Sequence, residues 1–300
     1  GSPDPHREVY SEKHNQIAKQ NMKKIIFIVF VFPLFSFGQS IDSLKLALKN
    51  AKHDTTRCNI LSLMVELEGD DNVWPKYNEE IGLIAKENLA KSEALKNIYL
   101  KHLAYSLNNI GYLANSQGDI PRSLEYFRKS LFIQEKINDK RGVAESLNNI
   151  GAIYKKQGSL KKALEHYNKG LKMDEEIGNK DGIATAYNNI AGIYDTWGDK
   201  SKALVYYTHS LRIAEELGAR SGIALCYNNI GYIYNRLGDV SKSLFYFKGG
   251  LKIQEEIEDK KGVVNSLSNI AYLLADDGKT NEAFIYAQRG LQIAKELEFP

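Results

Sequence analysis

The chain repeats itself every forty residues. Asn-Asn-Ile occurs at 108–110, 148–150, 188–190 and 228–230, and becomes Ser-Asn-Ile at 268–270. Gly118, Gly158, Gly198, Gly238 and Gly278 keep the same step, as do Leu131, Leu171, Leu211, Leu251 and Leu291. A fixed period of roughly 20–50 residues marks a stacked array, in which each unit buries its apolar surface against the next. A chain of 300 residues would ordinarily suggest two domains, but that expectation has no force for an array.

One unit predicts two helices. Tyr187, Ile190, Ala191 and Tyr194 advance by three or four residues, the spacing of one apolar helical face. Trp197-Gly198-Asp199 then breaks the pattern with a turn. Ala203, Leu204, Tyr207, Leu211 and Ala214 resume it, and Leu217-Gly218 reads as a helix stop. The spacing predicts two antiparallel helices of unequal length, A and B. Neither apolar stripe can be buried by a lone hairpin, so neighbouring hairpins must cover them.

Tyr187, Ile190, Ala191, Tyr194, Gly198, Ala203, Tyr207 and Ser210, in that order, resemble the signature of the tetratricopeptide repeat. In the following unit the same places hold Tyr227, Ile230, Gly231, Tyr234, Gly238, Ser243, Phe247 and Gly250. Small residues let two helices approach closely, and aromatic residues fill the space between hairpins. The forty-residue period exceeds the family's usual 34, and the usual proline after helix B is missing; both resemble a branch with a prolonged B helix. The resemblance implies an all-α, right-handed solenoid (an α-α superhelix) of stacked hairpins. Regular repeats are expected at 103–142, 143–182, 183–222, 223–262 and 263–300, behind a leading helix and degenerate first repeat at 39–102. It also implies a module that binds a protein or extended peptide in a concave groove.

Residues 1–21 are polar and precede Met22, and are read as a tag or upstream segment outside the fold. Met22-Lys23-Lys24, the apolar run Ile25–Phe35 and Ser36-Phe37-Gly38-Gln39 read together as a signal peptide at 22–38. An uncleaved anchor or a buried helix competes with that reading, but polar Gln-Ser-Ile-Asp follows at once. Export to a bacterial periplasm, or outside the cell, is the expectation. Ile41, Leu44 and Leu48 suggest a leading helix, and Asp54-Thr55-Thr56-Arg57 offers N-caps for a helix through Leu67. Asn59-Ile60 and Met64 stand there where later units carry Asn-Ile and Tyr, and Trp74–Leu89, with Pro75 in its first turn, supplies the partner helix. Asp54-Thr-Thr-Arg after an exported leader resembles the periplasmic repeat regions of Bacteroidetes-type sensor proteins. That resemblance implies the sensory part of a signalling protein, with membrane contact and output supplied downstream; a free-standing envelope assembly scaffold is the alternative. The last B helix, from Asn281 to about Glu298, carries Phe284, Ala287, Leu291 and Ala294 with no capping helix after it. The expectation is an array that continues, or an end face that associates with another copy.

A net charge of +3, with bases and acids interleaved, argues against a nucleic-acid partner. His53, His102, His166 and His209 share no repeat position, and no HExxH, GxSxG, phosphate-binding loop or GxGxxG is found. No enzyme, cofactor or metal is expected. Glu175-Glu176, Glu215-Glu216 and Glu255-Glu256 point apart on a helix and, with Lys172, Arg212 and Lys252 near, read as a solvated face. Cys58 and Cys226, far apart and without CxxC spacing, read as small core residues.

The asparagines are the exception. Asn109, Asn149, Asn189, Asn229 and Asn269 each precede the core isoleucine of helix A, although mid-helix Asn costs about 0.7 kcal/mol relative to Ala. The row resembles the asparagine ladders of O-GlcNAc transferase and kinesin light chain, whose amides grip the backbone of an extended peptide. A primary amide, with donor and acceptor, complements a peptide group and reads no side chain. The competing reading is that these amides only tie hairpins together. The second row, Asn108, Asn148, Asn188, Asn228 and Ser268, is expected to pack between helices or to play a mixed role. Specificity is expected from the varying positions around the ladder: Tyr112, Ala152, Gly192, Tyr232 and Tyr272 one turn on, then Lys155, Lys156, Asp195, Asn235 and Arg236, the tyrosines either stacking on a ligand or only covering the array. These charges do not cluster as a clamp for a free C-terminal carboxylate would.

Overall fold

The computed structural model describes residues 40–297. The upstream segment, the signal peptide and its cut before Gln39 lie outside the described residues, as do the last three. Among the described residues there are thirteen α-helices and one 3₁₀ turn, and no strand. They divide into two compact units between Gly69 and Asp70.

In the first unit, α1 (Ile41–Asn50) packs on α2 (Asp54–Leu67). Ser40 caps α1, its hydroxyl accepting from the Ser43 N–H. The cap expected at Asp54–Thr56 is not formed: His53 occupies the cap position without a side-chain bond. Asp54 instead sits in the first turn, where its carboxylate complements the helix dipole.

The second unit begins with α3 (Trp74–Asn88), whose Pro75 occupies a first-turn position that has no hydrogen bond to lose. It packs on α4 (Lys96–Ser116). Five hairpins follow in order. They are α4 with α5 (Ile120–Lys136), α6 (Lys140–Lys156) with α7 (Leu160–Ile177), and α8 (Lys180–Thr196) with α9 (Lys200–Leu217). The last two are α10 (Arg220–Arg236) with α11 (Val240–Glu256), and α12 (Lys260–Asp276) with α13 (Thr280–Glu296). Helices α2 and α3, read in the sequence as halves of one degenerate repeat, fall in different compact units.

The expected inequality of A and B needs correction. From α6 to α13, A helices have 17 residues and B helices 17 or 18. Helix A starts well before the apolar run at Tyr187, at Lys180, and buries Ala184 on its added turn. The extra residues of the forty-residue period are thus shared by both helices. Gly198, at φ 84°, makes the A–B turn in a left-handed conformation that other residues adopt only at a cost.

Each hairpin closes on small-against-large contacts. Tyr167 is fully buried against Gly151, where an added Cβ would come within 2.7 Å of the ring. Ser210 donates its hydroxyl to the Ala184 carbonyl at 2.8 Å, drawing helix B onto helix A. Between hairpins, Leu164 and Tyr167 pack with Ile190 and Ile193 of the next A helix. Position 164 recurs as Leu124, Leu204 and Leu244, each set against the following hairpin in the same way.

The paired acids have a structural use that the sequence reading did not assign. Glu176 accepts from Lys140 at 2.8 Å, Glu216 from Lys180 at 3.0 Å, and Glu256 pairs with Arg220. Each pair joins the end of a B helix to the start of the A helix in its own hairpin. The hydrogen bonds from Lys140 and Lys180 hold the Glu176 and Glu216 carboxyls below the usual range. Such exposed pairs contribute little to stability, but they fix register.

Candidate functional site

Consecutive A helices meet directly: α4 packs against α6, and α6 against α8, while no pair of consecutive B helices packs as closely. The stack therefore curves with its A helices on the inner side, which makes their joint surface the candidate groove.

The seam between A helices has a simple rule: a residue meets the residue 41 positions later. Asn149 Nδ2 donates to Asn108 Oδ1 at 2.8 Å, and Asn229 Nδ2 to Asn188 Oδ1 at 2.8 Å. Two turns on, Lys156 reaches Asn115 Oδ1 at 3.5 Å, and Arg236 donates to Asp195 at 2.5 Å. The offset follows from helix geometry. Residues 108 and 115 lie on one stripe of α4, and 149 and 156 on the facing stripe of α6, seven residues being close to two turns. The first rung reaches α3, with Asn109 Nδ2 donating to Asn78 Oδ1 at 2.9 Å. Buried Asn78 is itself held by Ser106, which donates to the Asn78 carbonyl and accepts, through its own carbonyl, from Asn78 Nδ2.

These bonds correct the expectation for the ladder. For Asn109, Asn149 and Asn229 the donor half of the amide is spent between hairpins, as the competing reading held. All five ladder asparagines are half-buried, and none has an Oδ1 that is both buried and unpartnered. Their oxygens are not sealed from solvent, so what these three can still offer a ligand is an acceptor each. The second row packs between hairpins at Asn108 and Asn188, as expected.

Two rungs are not formed. Asn228 Oδ1 accepts from Ser266 Oγ at 3.1 Å instead of from Asn269. Asn148 Oδ1 is buried without a partner, and Asn189 donates to no protein acceptor. The rung between α6 and α8 is therefore open, with formed rungs on both sides of it.

Beside the ladder, Tyr112, Tyr232 and Tyr272 are 58, 48 and 68% exposed. Each stands three residues after a ladder asparagine, hence on the same face. Alanine and glycine occupy this tier at 152 and 192. The Arg236 guanidinium lies 5.9 Å from the Tyr232 ring centre while bonded to Asp195, so ring, cation and carboxylate form one chain. The Lys155 ammonium projects over Gly192 and would meet a Cβ there at 2.6 Å. Burial lowers the Lys155 pKa, and the nearby Asp195 charge partly restores it.

The sequence reading missed Asn78 and the 41-residue offset. The signal was present: the two asparagine rows differ by one residue and the repeat by forty, so neighbours on facing stripes differ by 41.

No helix among the described residues is long and apolar enough to cross a membrane, and no group of His, Cys, Asp and Glu among them is placed to hold a metal. Cys58 and Cys226 are both buried, and burial pushes the Cys226 thiol up.

Stacked hairpins with a polar, tyrosine-lined inner face define a repeat-built protein-binding module. The chain belongs to the tetratricopeptide repeat family, which it matches over residues 102–176, 184–217, 224–257 and 263–298. No curated protein matches it in sequence. Among solved structures it is similar to BtubC (BKLC) from P. vanneervenii, at 20% identity and a TM-score of 0.64, over 75% of this chain and 91% of that one. It is similar to a Rap protein complexed with Competence and Sporulation Factor, at 16% identity and a TM-score of 0.62, over 86 and 78% of the two chains. Aspartyl phosphate phosphatase F from Bacillus subtilis aligns at 13% identity and a TM-score of 0.61, over 89 and 76%. At such identities the likeness concerns the fold.

Proposed function

We propose that the chain binds an extended protein segment along the inner face of its A helices, and that it serves as the periplasmic, sensory part of a bacterial signalling protein. The reading assigns the chain no reaction of its own. The observation that carries it is the row of half-buried asparagines, their oxygens not sealed from solvent, flanked by exposed Tyr112, Tyr232 and Tyr272. Acceptors at the pitch of the hairpins, about 10 Å, match every third residue of an extended chain at about 3.3 Å per residue. Exposed tyrosines add apolar area and a hydroxyl at small entropic cost. The apolar run Ile25–Phe35 behind two lysines supports export.

Selection from a displayed peptide library tests the groove. Replacing Tyr112, Tyr232 and Tyr272 together by Ala leaves the core intact and is expected to abolish selection. Replacing the B-helix residues Val205 and Phe245 by Ser, both also exposed, is expected to leave it unchanged. The reverse pattern places binding on the B-helix face and removes this reading. Export is tested separately, by fractionating cells that make the chain and sequencing the N-terminus of the mature protein, expected at Gln39.

A further inference from the structure

Lys155 and Asn189 stand out on the inner face as donors that make no direct bond among the described residues. Lys155 makes no hydrogen bond or ion pair. Asp195, the acid nearest to it along the groove, is already engaged by Arg236 at 2.5 Å. The counterpart of Lys155 two hairpins away is Asn235, while the Arg236 cation one residue on, the equivalent of Lys156, has both a carboxylate and a tyrosine ring. The Lys155 side chain is exposed and feels the charge of Asp195 without bonding to it directly, so its ammonium is open to a further carboxylate. Asn189 lacks the acceptor that its counterparts Asn149 and Asn229 find 41 residues earlier.

The tyrosine tier opens at the same place. It reads Tyr112, Ala152, Gly192, Tyr232, Tyr272, so two hairpins in the middle of the groove carry no bulky side chain. The vacated volume at Gly192 holds the Lys155 ammonium, and the Tyr207 hydroxyl borders the same place, 3.6 Å from where a Cβ on residue 192 would stand. Three features thus coincide on α6 and α8: a gap in the tyrosine row, an exposed cation without a direct ion pair, and an open rung with a spare amide donor.

We propose that this stretch is the specificity subsite of the groove, and that it takes a Glu or Asp side chain of an extended peptide. The carboxylate pairs with Lys155, and Asn189 Nδ2 donates to the peptide carbonyl beside it. Tyr112 and Tyr232 bound the gap on either side. The inference rests on the peptide-groove reading above and adds the chemistry of one ligand position. Net charge at the subsite supports it, since Lys155 and Arg236 outnumber Asp195 by one.

The test uses peptides taken from the library selection, synthesised with acetylated and amidated ends so that no chain-terminal carboxylate remains. Each position is replaced in turn by Glu and by Gln, and binding to the full chain is measured. One position is expected to prefer Glu by about tenfold, the worth of one charge-assisted contact. Lys155→Met, which keeps the aliphatic stem, is expected to erase that preference; Lys155→Glu is expected to turn it towards Lys. Gly192→Tyr, which restores the tyrosine tier, is expected to lose binding of the acidic peptide at an unchanged melting temperature. A Glu preference that survives Lys155→Met, no preference at any position, or binding only by peptides with a free C-terminus each overturns the subsite but leaves the groove standing. Failure of the library to yield any peptide removes the groove reading and the subsite together.

Discussion

Asn149 donates to Asn108 across 2.8 Å, and the two belong to successive hairpins, 41 residues apart. A helix-interior asparagine, poor in propensity, is thereby turned into a tie between A helices. Deleting it leaves the Asn108 oxygen half-buried without its donor. Asn149→Ala and Asn229→Ala are each expected to cost about 1 kcal/mol. Asn189 makes no such bond, so Asn189→Ala is expected to be neutral or to stabilise by about 0.5 kcal/mol through propensity. Urea titrations of the three variants check this. Equal losses at all three positions would show that the bonds are not what these residues contribute.

Ser123 is fully buried and its hydroxyl has no partner. The equivalent place holds Ala163, Ala203 and Ala283, while Ser243 there donates to the Gly231 carbonyl at 2.9 Å. Ser123→Ala is expected to stabilise by about 1 kcal/mol, because an unmade buried hydrogen bond disappears. Ser243→Ala is expected to be neutral to destabilising. Thermal melts of the two variants separate the cases by sign.

Glu258 ends helix α11 at φ 58°, where Gly178 and Gly218 end α7 and α9 at 65°. The left-handed backbone crowds the Cβ of glutamate and not of glycine. Glu258→Gly is expected to raise stability by about 0.5–1 kcal/mol, the relief of strain being partly offset by a looser unfolded chain. Asn138, at φ 55° in the same place, tolerates this conformation better, and its glycine variant is expected to gain less.

Asp174 is buried where two other units carry Gln134 and Gln254. Burial raises its pKa, partly offset by the hydrogen bond from Asn179 Nδ2 at 2.7 Å and by Arg141. The folded chain then holds the proton more tightly than the unfolded one. This contribution to stability therefore grows as pH falls through the folded pKa, and is complete below the ordinary value of 3.8. Asp174→Asn keeps the acceptor for Asn179 and carries no charge. It is expected to be more stable than the native chain at pH 7, with the gap closing as pH approaches 4. Urea midpoints at both values check the sign.

The forty-residue period gave away the hairpins before any coordinates, and the positions matched to the repeat signature are those that pack. Tyr207, Ser210, Ile190 and Ala191 are all buried. Boundaries were legible where a strong stop exists, as at Gly218, and poorly legible at the start of helix A. There Lys180 and Asp181 are exposed and leave no apolar mark. The candidate site divides the same way. Tyr112, Tyr232 and Tyr272 are exposed on the inner face, as their spacing suggested. The hydrogen-bond partners of the ladder were not legible, since a partner 41 residues away depends on how far one helix slides along the next.

Sequence alone determined that this protein is a stack of helical hairpins, because apolar spacing and turn glycines act locally and repeat. Tertiary structure decided which amide donors are spent, which rungs stay open, and that Lys155 lies over Gly192 without a direct ion pair. Those outcomes depend on the approach of side chains from separate helices, a matter of tenths of an ångström that no single segment encodes.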